Sequence, residues 1–323
     1  MSELELDVIY NEDCLEGMKR LPSKSVNLII ADPPYNIKKA EWDKIENYFE
    51  WCGLWLKECE RVLADNGSFY MFHNYMPSVS QLMVQIEKET GFVLKQFIVW
   101  NKKFHGAKHI QVHALQYNDS LRSYAQMAEY ILFYTFQDET GLTTVYDNKD
   151  CFLSIKKYLR KERYKTQQAG YSDRDLRKLC GVSLKGGGLL GHYWGNAQWL
   201  IPIEKHYKKL QSTGFFQRSY ESLRQEYESL RYTFNNQKSY HSVWNYDIAE
   251  RNGHPTPKPI PLIENILRHS SNKEDIVLVP FVGSGNECIA CQNLNRHYVG
   301  FETNKDYCAI AEKRLAQGQL ELK

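Results

Sequence analysis

The sequence predicts an α/β protein: a doubly wound, mostly parallel sheet interrupted by a basic segment of different character. Three observations predict it. Short apolar runs alternate with amphipathic stretches over residues 8–136 and again over 259–315. The links between them are short, the pattern of parallel strands with helices on both faces. From about residue 140 to 251 the alternation stops and the composition turns basic.

The first half reads in order. Val8-Ile9-Tyr10 is a short strand, followed by Asn11-Glu12-Asp13-Cys14 and a helix over 15–21. Residues 25–31 form the next strand. Residues 42–64 carry apolar side chains at Ile45, Phe49, Cys52, Leu56, Cys59 and Leu63, the spacing of one helix face. Asn66-Gly67 turns the chain into a strand over 68–73. A helix over 76–90 ends at Gly91, and strands follow over 92–100 and 129–136.

The interrupting segment has its own pattern. Between Lys156 and Lys185 there are ten Lys or Arg against three acids, Glu162, Asp173 and Asp175. Residues 172–188 read as a capped short helix, a turn at Gly181 and a glycine-rich loop. That is compatible with a helix-turn-helix-like reader of DNA, although a solvated basic face carries the same pattern. Residues 204–234 read as one helical stretch. Tyr220, Leu223, Tyr227, Leu230 and Phe234 make an apolar stripe at heptad spacing, for packing within the chain or against a second copy. The α/β pattern then resumes, with a helix over 259–269, a strand over 276–279, a helix over 286–293, a strand over 298–301 and a helix over 304–315.

Composition narrows the classes. A net charge of +2 gives no global field, so a nucleic-acid surface has to come from local segregation of charge. The N-terminus is acidic and lacks a signal-peptide pattern, and no apolar run approaches the roughly 20 residues needed to span a bilayer. The expectation is a soluble chain in a reducing cytoplasm. Eight scattered cysteines fit that expectation. Only Cys288 and Cys291 have ligand spacing, and they fall on the buried face of a helix with no second pair at zinc-site spacing. They read as core thiols, and no metal site is expected.

Two stretches carry chemistry. The strand over 25–31 runs straight into Asp32-Pro33-Pro34-Tyr35. A proline restricts its predecessor and lacks a backbone N–H, so two in a row make a stiff turn at the mouth of the sheet. The turn offers the Asp32 carboxylate and the Pro33 carbonyl as acceptors and the Tyr35 ring as a flat face. The set suits an exocyclic amine on an aromatic ring, although a plain strand end uses the same residues. The second stretch is Gly283-Ser284-Gly285, between a strand and a helix. Glycines there let a ligand approach the backbone, and the helix N-terminus adds positive potential. Glu302 follows at the end of the next strand, placed to hold the two hydroxyls of a ribose. The third glycine of the dinucleotide fingerprint is missing, which leaves a mononucleoside.

Asp32-Pro33-Pro34-Tyr35, His254-Pro255-Thr256-Pro257-Lys258-Pro259 and Pro280-Phe281-Val282-Gly283-Ser284-Gly285 together resemble the S-adenosyl-L-methionine-dependent amino-methyltransferases of DNA. Their order, catalytic motif before variable segment before cofactor motif, is similar to the permuted β class. The resemblance covers roughly residues 5–136 and 243–315. It implies a seven-stranded Rossmann-like methyltransferase sheet with an inserted DNA target-recognition region. The implied division is a catalytic half over 1–140, target recognition over 141–250 and a cofactor-binding half over 251–323.

The resemblance also assigns roles. Asp32, Pro33, Pro34 and Tyr35 form the catalytic set. The cofactor falls to Asp13, Asp32, His254, Lys258, Pro280, Phe281, Gly283, Ser284, Gly285, Glu287 and Glu302. Double-stranded DNA falls to Lys156, Lys157, Arg160, Lys161, Arg163, Arg174, Arg177, Lys178 and Lys185. One departure stands out: the family usually has an acid just before Pro280, where this chain has Val279. Its work passes to Asp32, Lys258, Glu287 or backbone groups. Target adenine would be flipped out of the duplex and stacked on Tyr35, with Phe72 or Trp42 helping. Asp at the first motif position goes with adenine N6 in this family, and Ser with cytosine N4. No covalent cysteine step is expected, since none of the eight cysteines follows a proline. The resemblance is compatible with a bacterial or phage origin, a homodimer and a cognate restriction endonuclease. A rival of another class is a DNA-binding regulator that keeps the fold without activity, for which Val279 is the sole support.

Overall fold

A computed structural model describes residues 4–38, 41–102, 127–136, 152–183, 188–195, 199–230, 241–250 and 255–321. His254 and Lys185 lie outside the described residues. The chain divides into two compact units, one of residues 1–137 with 233–323 and one of residues 138–232. The second is shorter at its carboxyl end than the 141–250 expected from sequence, because the chain is back in the sheet by Val243.

Among the described residues, the first unit holds eight strands: β1 (Val8–Tyr10), β2 (Val26–Ala31), β3 (Leu63–His73), β4 (Val93–Asn101), β5 (Ala128–Thr135), β6 (Val243–Asn245), β7 (Ile276–Val279) and β8 (His297–Phe301). They form one sheet in the order β1-β8-β7-β2-β3-β5-β4-β6. Only β5 runs against its neighbours. Seven of the eight match the sequence reading. The eighth, β6, is three residues long and alternates exposed, buried, exposed, too short for a pattern to register. It pairs with β4, where Trp244 stands opposite Trp100.

Helices α1 (Cys14–Met18), α2 (Tyr48–Val62), α3 (Met76–Glu89), α9 (Ile260–Ser270), α10 (Asn286–Asn293) and α11 (Lys305–Glu321) cover this sheet. Alternation along β2 explains how. Leu28 and Ile30 face one core with Leu262, Ile263 and Ile266 of α9. Ile29 and Ala31 face the other with Cys52, Trp55 and Cys59 of α2 and Leu82 of α3. A strand buried on both faces has to be apolar throughout, as β2 is. The helix expected from residue 42 starts only at Tyr48; a short 3-10 turn, Glu41–Asp43, precedes it, and Asn47 takes a left-handed conformation. Asn66-Gly67, expected as a turn, is an irregularity inside β3 where its register against β2 shifts. A Cβ on Gly67 would lie 2.9 Å from the Asn27 carbonyl oxygen, a backbone atom that cannot step aside, so the chain needs glycine there.

The second unit is helical: α4 (Leu153–Gln168), α5 (Asp173–Cys180), α6 (Gly188–Trp194), α7 (Glu204–Gln211) and α8 (Tyr220–Leu230). Ser172 and Asp175 form a capping box that starts α5, and Gly181 ends it in the left-handed conformation. The single stretch expected over 204–234 is two helices instead. Gly214 and Phe216 both take positive φ and break it. Three residues of the heptad stripe pack within the chain: Leu223 is buried, and Tyr220 and Tyr227 pack on the same core as Leu159, Leu176, Tyr193 and Tyr207, while the Leu230 side chain and Phe234 lie outside the described residues.

Candidate active site

β1, β2, β7 and β8 are mutually parallel through their pairings, so their carboxyl ends share one edge of the sheet. Ligands of open α/β sheets bind at that edge. Asp13 follows β1, Asp32 follows β2, Pro280 follows β7 and Glu302 follows β8. All four line a single cavity. The same cavity is lined by Pro33, Pro34, Tyr35, Lys258, Phe281, Gly283, Ser284 and Glu287. Two stretches far apart in sequence thus meet because β2 and β7 are hydrogen-bonded neighbours, with Leu28 opposite Val277.

The proline turn is held from both sides. Tyr35 hydroxyl donates to Asp32 Oδ1 at 2.6 Å, and Lys258 Nζ donates to Asp32 Oδ2 at 2.5 Å. The Lys258 ammonium lies 5.4 Å from the ring centres of both Tyr35 and Phe72. Asn286 at the start of α10 donates its side-chain amide to the Lys258 carbonyl at 2.5 Å, which fixes the loop that delivers the lysine. Tyr48 hydroxyl donates to the Pro34 carbonyl at 3.0 Å and stands 3.1 Å from His73 Nε2. The Tyr75 N–H donates to His73 Nδ1 at 3.1 Å, so Nε2 carries the proton and gives it to Tyr48. Burial pulls the His73 pKa down to about 4, consistent with a neutral ring.

Tyr35 is itself buried, with its ring stacked on His73 at 4.6 Å. Phe72 is fully buried. Tyr35 still lines the cavity, and Phe72 does not. Among the three aromatics named for stacking on the base, Trp42 is the exposed one and it lines the cavity.

The cofactor candidates separate into two groups. Glu302 is fixed by the glycine turn: its Oε2 accepts from the Gly283 N–H and its Oε1 from the Asn304 N–H, both at 2.8 Å. Burial raises its pKa against the pull of those N–H groups. Glu287 is buried, and burial together with the neighbouring Asp32 charge lifts its pKa to about 8. Asp13 spends one oxygen on capping α1, accepting from the Leu15 N–H at 2.7 Å. Gly285 stands apart from the cavity lining. Its φ is +84° and a Cβ there would lie 2.8 Å from Ala311 Cβ, so this glycine serves the close approach of α11.

Sequence reasoning missed two carboxylates. Buried Asp43 accepts from the N–H groups of Asn36 and Ile37, at 2.6 and 3.1 Å, and so shapes the loop after Tyr35. Buried Glu129 stands 3.6 Å from Lys258 Nζ. A lone acid heading an otherwise apolar strand was the signal for Glu129. Asp43 has none. Among the described residues, no cluster of three or more His, Cys, Asp or Glu is placed to hold a metal. The seven described cysteines are free and buried; Cys151 lies outside the described residues.

A family model described as DNA methylase, covering N6 and N4 amino-methyltransferases, matches residues 26–313. The chain belongs to this family of DNA methylases. The methylase is 25% identical to Type II methyltransferase M1.MboII of Moraxella bovis, over 99% of each chain. It is 26% identical to Type II methyltransferase M.HpaI of Haemophilus parainfluenzae, over 94% of this chain and 72% of the relative. Among solved structures, its fold is similar to an M1.HpyAVI–SAM complex, with TM-score 0.50 and 22% identity over 95% of this chain and 98% of that one. It is also similar to the cytosine-N4-specific PvuII DNA methyltransferase, with TM-score 0.54 and 15% identity over 98% and 92%.

The methylase distributes its basic residues unevenly in the helical unit. Lys156 is buried with its ammonium 5.2 Å from the Trp199 ring centre. Arg160 donates to the carbonyls of Trp194 and Gly195, both at 3.0 Å. Arg163 makes a bidentate pair with Asp173, at 3.0 and 2.6 Å. These three hold the unit together. Lys157, Lys161, Arg174 and Lys178 are exposed, and Arg177 is half-buried.

Proposed function

We propose that the methylase moves a methyl group from S-adenosyl-L-methionine to the N6 amino group of adenine at specific sites in duplex DNA. The observation that carries the reading is the meeting of Asp32 with the glycine turn and Glu302 in one cavity. The residues fit the cofactor. Glu302 suits the ribose hydroxyls, and the turn at Gly283 and Ser284 brings bare backbone to the wall. Bound S-adenosyl-L-methionine supplies an electrophilic sulfonium methyl.

The target amine is stacked inside a duplex and has to be flipped out, at a cost of a few kcal/mol. Exposed Trp42 is the stacking face on offer in the cavity wall. Asp32 and the Pro33 carbonyl accept the two amine hydrogens and turn the nitrogen lone pair toward the methyl. The nitrogen gains a methyl and gives up one proton, for which the Asp32 carboxylate is the acceptor at hand. Such a transfer needs positioning more than acid–base power. Asp rather than Ser at position 32 favours adenine over N4 of cytosine. The exposed cations of the helical unit supply phosphate contacts, and the Type II relatives favour a role beside a cognate endonuclease in the cytoplasm.

Expression in a methylation-free bacterial host, followed by modification-sensitive sequencing, tests this. Methylated adenines in a recurring sequence are expected, and their loss with Asp32→Ala. N4-methylcytosine in place of N6-methyladenine sinks the adenine assignment, and full methylation by Asp32→Ala sinks the mechanism.

A further inference from the structure

β5 runs antiparallel to β3, so its first residues meet the carboxyl end of β3, with Tyr130 opposite His73. Glu129 is the next residue outward. Its carboxylate pairs with Lys102 through one oxygen and stands 3.6 Å from Lys258 Nζ through the other. The buried Lys258 ammonium therefore faces two carboxylates. It is hydrogen-bonded to Asp32 at 2.5 Å and ion-paired with Glu129 beyond hydrogen-bond reach. Asp32 lines the cavity and Glu129 does not. Burial pulls the lysine pKa down, but Asp32 and Glu129 more than offset it, so the group stays charged. To expose Asp32 Oδ2, the ammonium has to move rather than lose its proton.

We propose that Glu129 is a positioning residue that receives the Lys258 ammonium when the target amine arrives, which opens Asp32 Oδ2 to that amine. The proposal rests on the role given to Asp32 above. A shift of about 1 Å takes Nζ from its present place to charge-assisted hydrogen-bond distance from Glu129. A counter-charge faces the lysine at both ends of the move, so it is never a lone buried cation. Without Glu129 the ammonium has one carboxylate to sit on, and it competes there with the substrate.

The test measures tritium moved from S-adenosyl-L-methionine to genomic DNA of a methylation-free bacterium, with circular dichroism as the fold control. Glu129→Gln keeps the shape and removes the charge. Its kcat is expected to fall at least about tenfold while KM for the cofactor stays within about twofold. Glu129→Asp is expected to recover kcat to roughly two- to fivefold below the unmodified enzyme. A folded Gln variant with unchanged kcat overturns the proposal, as does a cofactor KM that rises in step with the fall in kcat. Should Glu129→Gln fail to fold, Glu129→Asp decides alone: the same partial loss with unchanged cofactor KM supports the proposal, and an unchanged kcat overturns it. Asp32→Asn separates the two ideas. If it retains transfer, the role given to Asp32 fails; if it is inactive while Glu129→Gln is unaffected, only the role given to Glu129 fails.

Discussion

Lys258 Nζ lies 2.5 Å from Asp32 Oδ2, although 226 residues separate the two in the chain. The pair joins the loop before α9 to the end of β2, and so ties the two sequence-distant stretches of the cavity together. Removing one partner of a buried pair strands the other charge, at about 3–5 kcal/mol. Asp32 keeps 17% of its side chain exposed to the cavity, where water screens it. Lys258→Met is therefore expected to cost about 2 kcal/mol in urea unfolding. Adding Asp32→Asn should return part of that loss. Equal losses in the single and double variants would show that the pair contributes nothing.

Glu287 makes stability depend on pH in the direction opposite to most carboxylates. Its folded-state pKa is about 8, against an ordinary 4.5. Between those values the folded chain holds a proton that the unfolded chain releases. Stability is then full below pH 4.5 and is lost as pH rises toward 8. Glu287→Gln has no proton to hold. Its advantage over the unmodified enzyme should grow from pH 5 to pH 8, by roughly 4 kcal/mol at most. A constant difference in melting temperature across that range would refute the burial argument.

The sheet and the cavity were legible in the sequence because their signals are local. A doubly buried strand such as β2 has to be apolar, and a strand that ends in Asp32-Pro33-Pro34 announces its own end. The register of β2 on β7 then brings the two stretches together without further information. Side-chain engagement was not legible. Nothing in the sequence says that Tyr35 stacks on His73, because His73 reaches it across the β2–β3 pairing. In the basic segment, charge counting could not separate Arg163, committed to Asp173, from exposed Lys161, since both look alike in composition.

That distinction makes a prediction about DNA. Lys157 and Lys161 lie one turn apart on α4 and both are exposed. If each neutralises one phosphate, Lys157→Ala with Lys161→Ala should weaken binding to any duplex and reduce the salt slope by about 0.9 for each lysine. Arg163→Ala should instead lower the melting temperature, because it removes the bidentate pair that joins α4 to α5. Fluorescence anisotropy against salt concentration, beside thermal unfolding, separates the two classes. An unchanged salt slope in the double lysine variant would take α4 out of the DNA interface.

Glu302 is expected to govern cofactor affinity with little effect on the chemical step. Its two oxygens accept the Gly283 and Asn304 N–H groups, each at 2.8 Å, at the cavity end of β8. The Asn11 side-chain amide donates to the Glu302 and Thr303 carbonyls from the end of β1, so the backbone on either side is pinned as well. Glu302→Ala removes the carboxylate offered to the ribose and frees the glycine turn it braces. Calorimetry should show cofactor binding weakened at least about tenfold, the effect of losing a charged hydrogen-bond partner worth about 1.5–3 kcal/mol. Glu302→Gln keeps an acceptor oxygen for the turn and should fall between. At saturating cofactor, kcat for both variants should stay within about threefold of the unmodified enzyme, as for a residue that binds ground state and transition state alike. Unchanged cofactor affinity in Glu302→Ala would move the ribose site elsewhere along the strand ends.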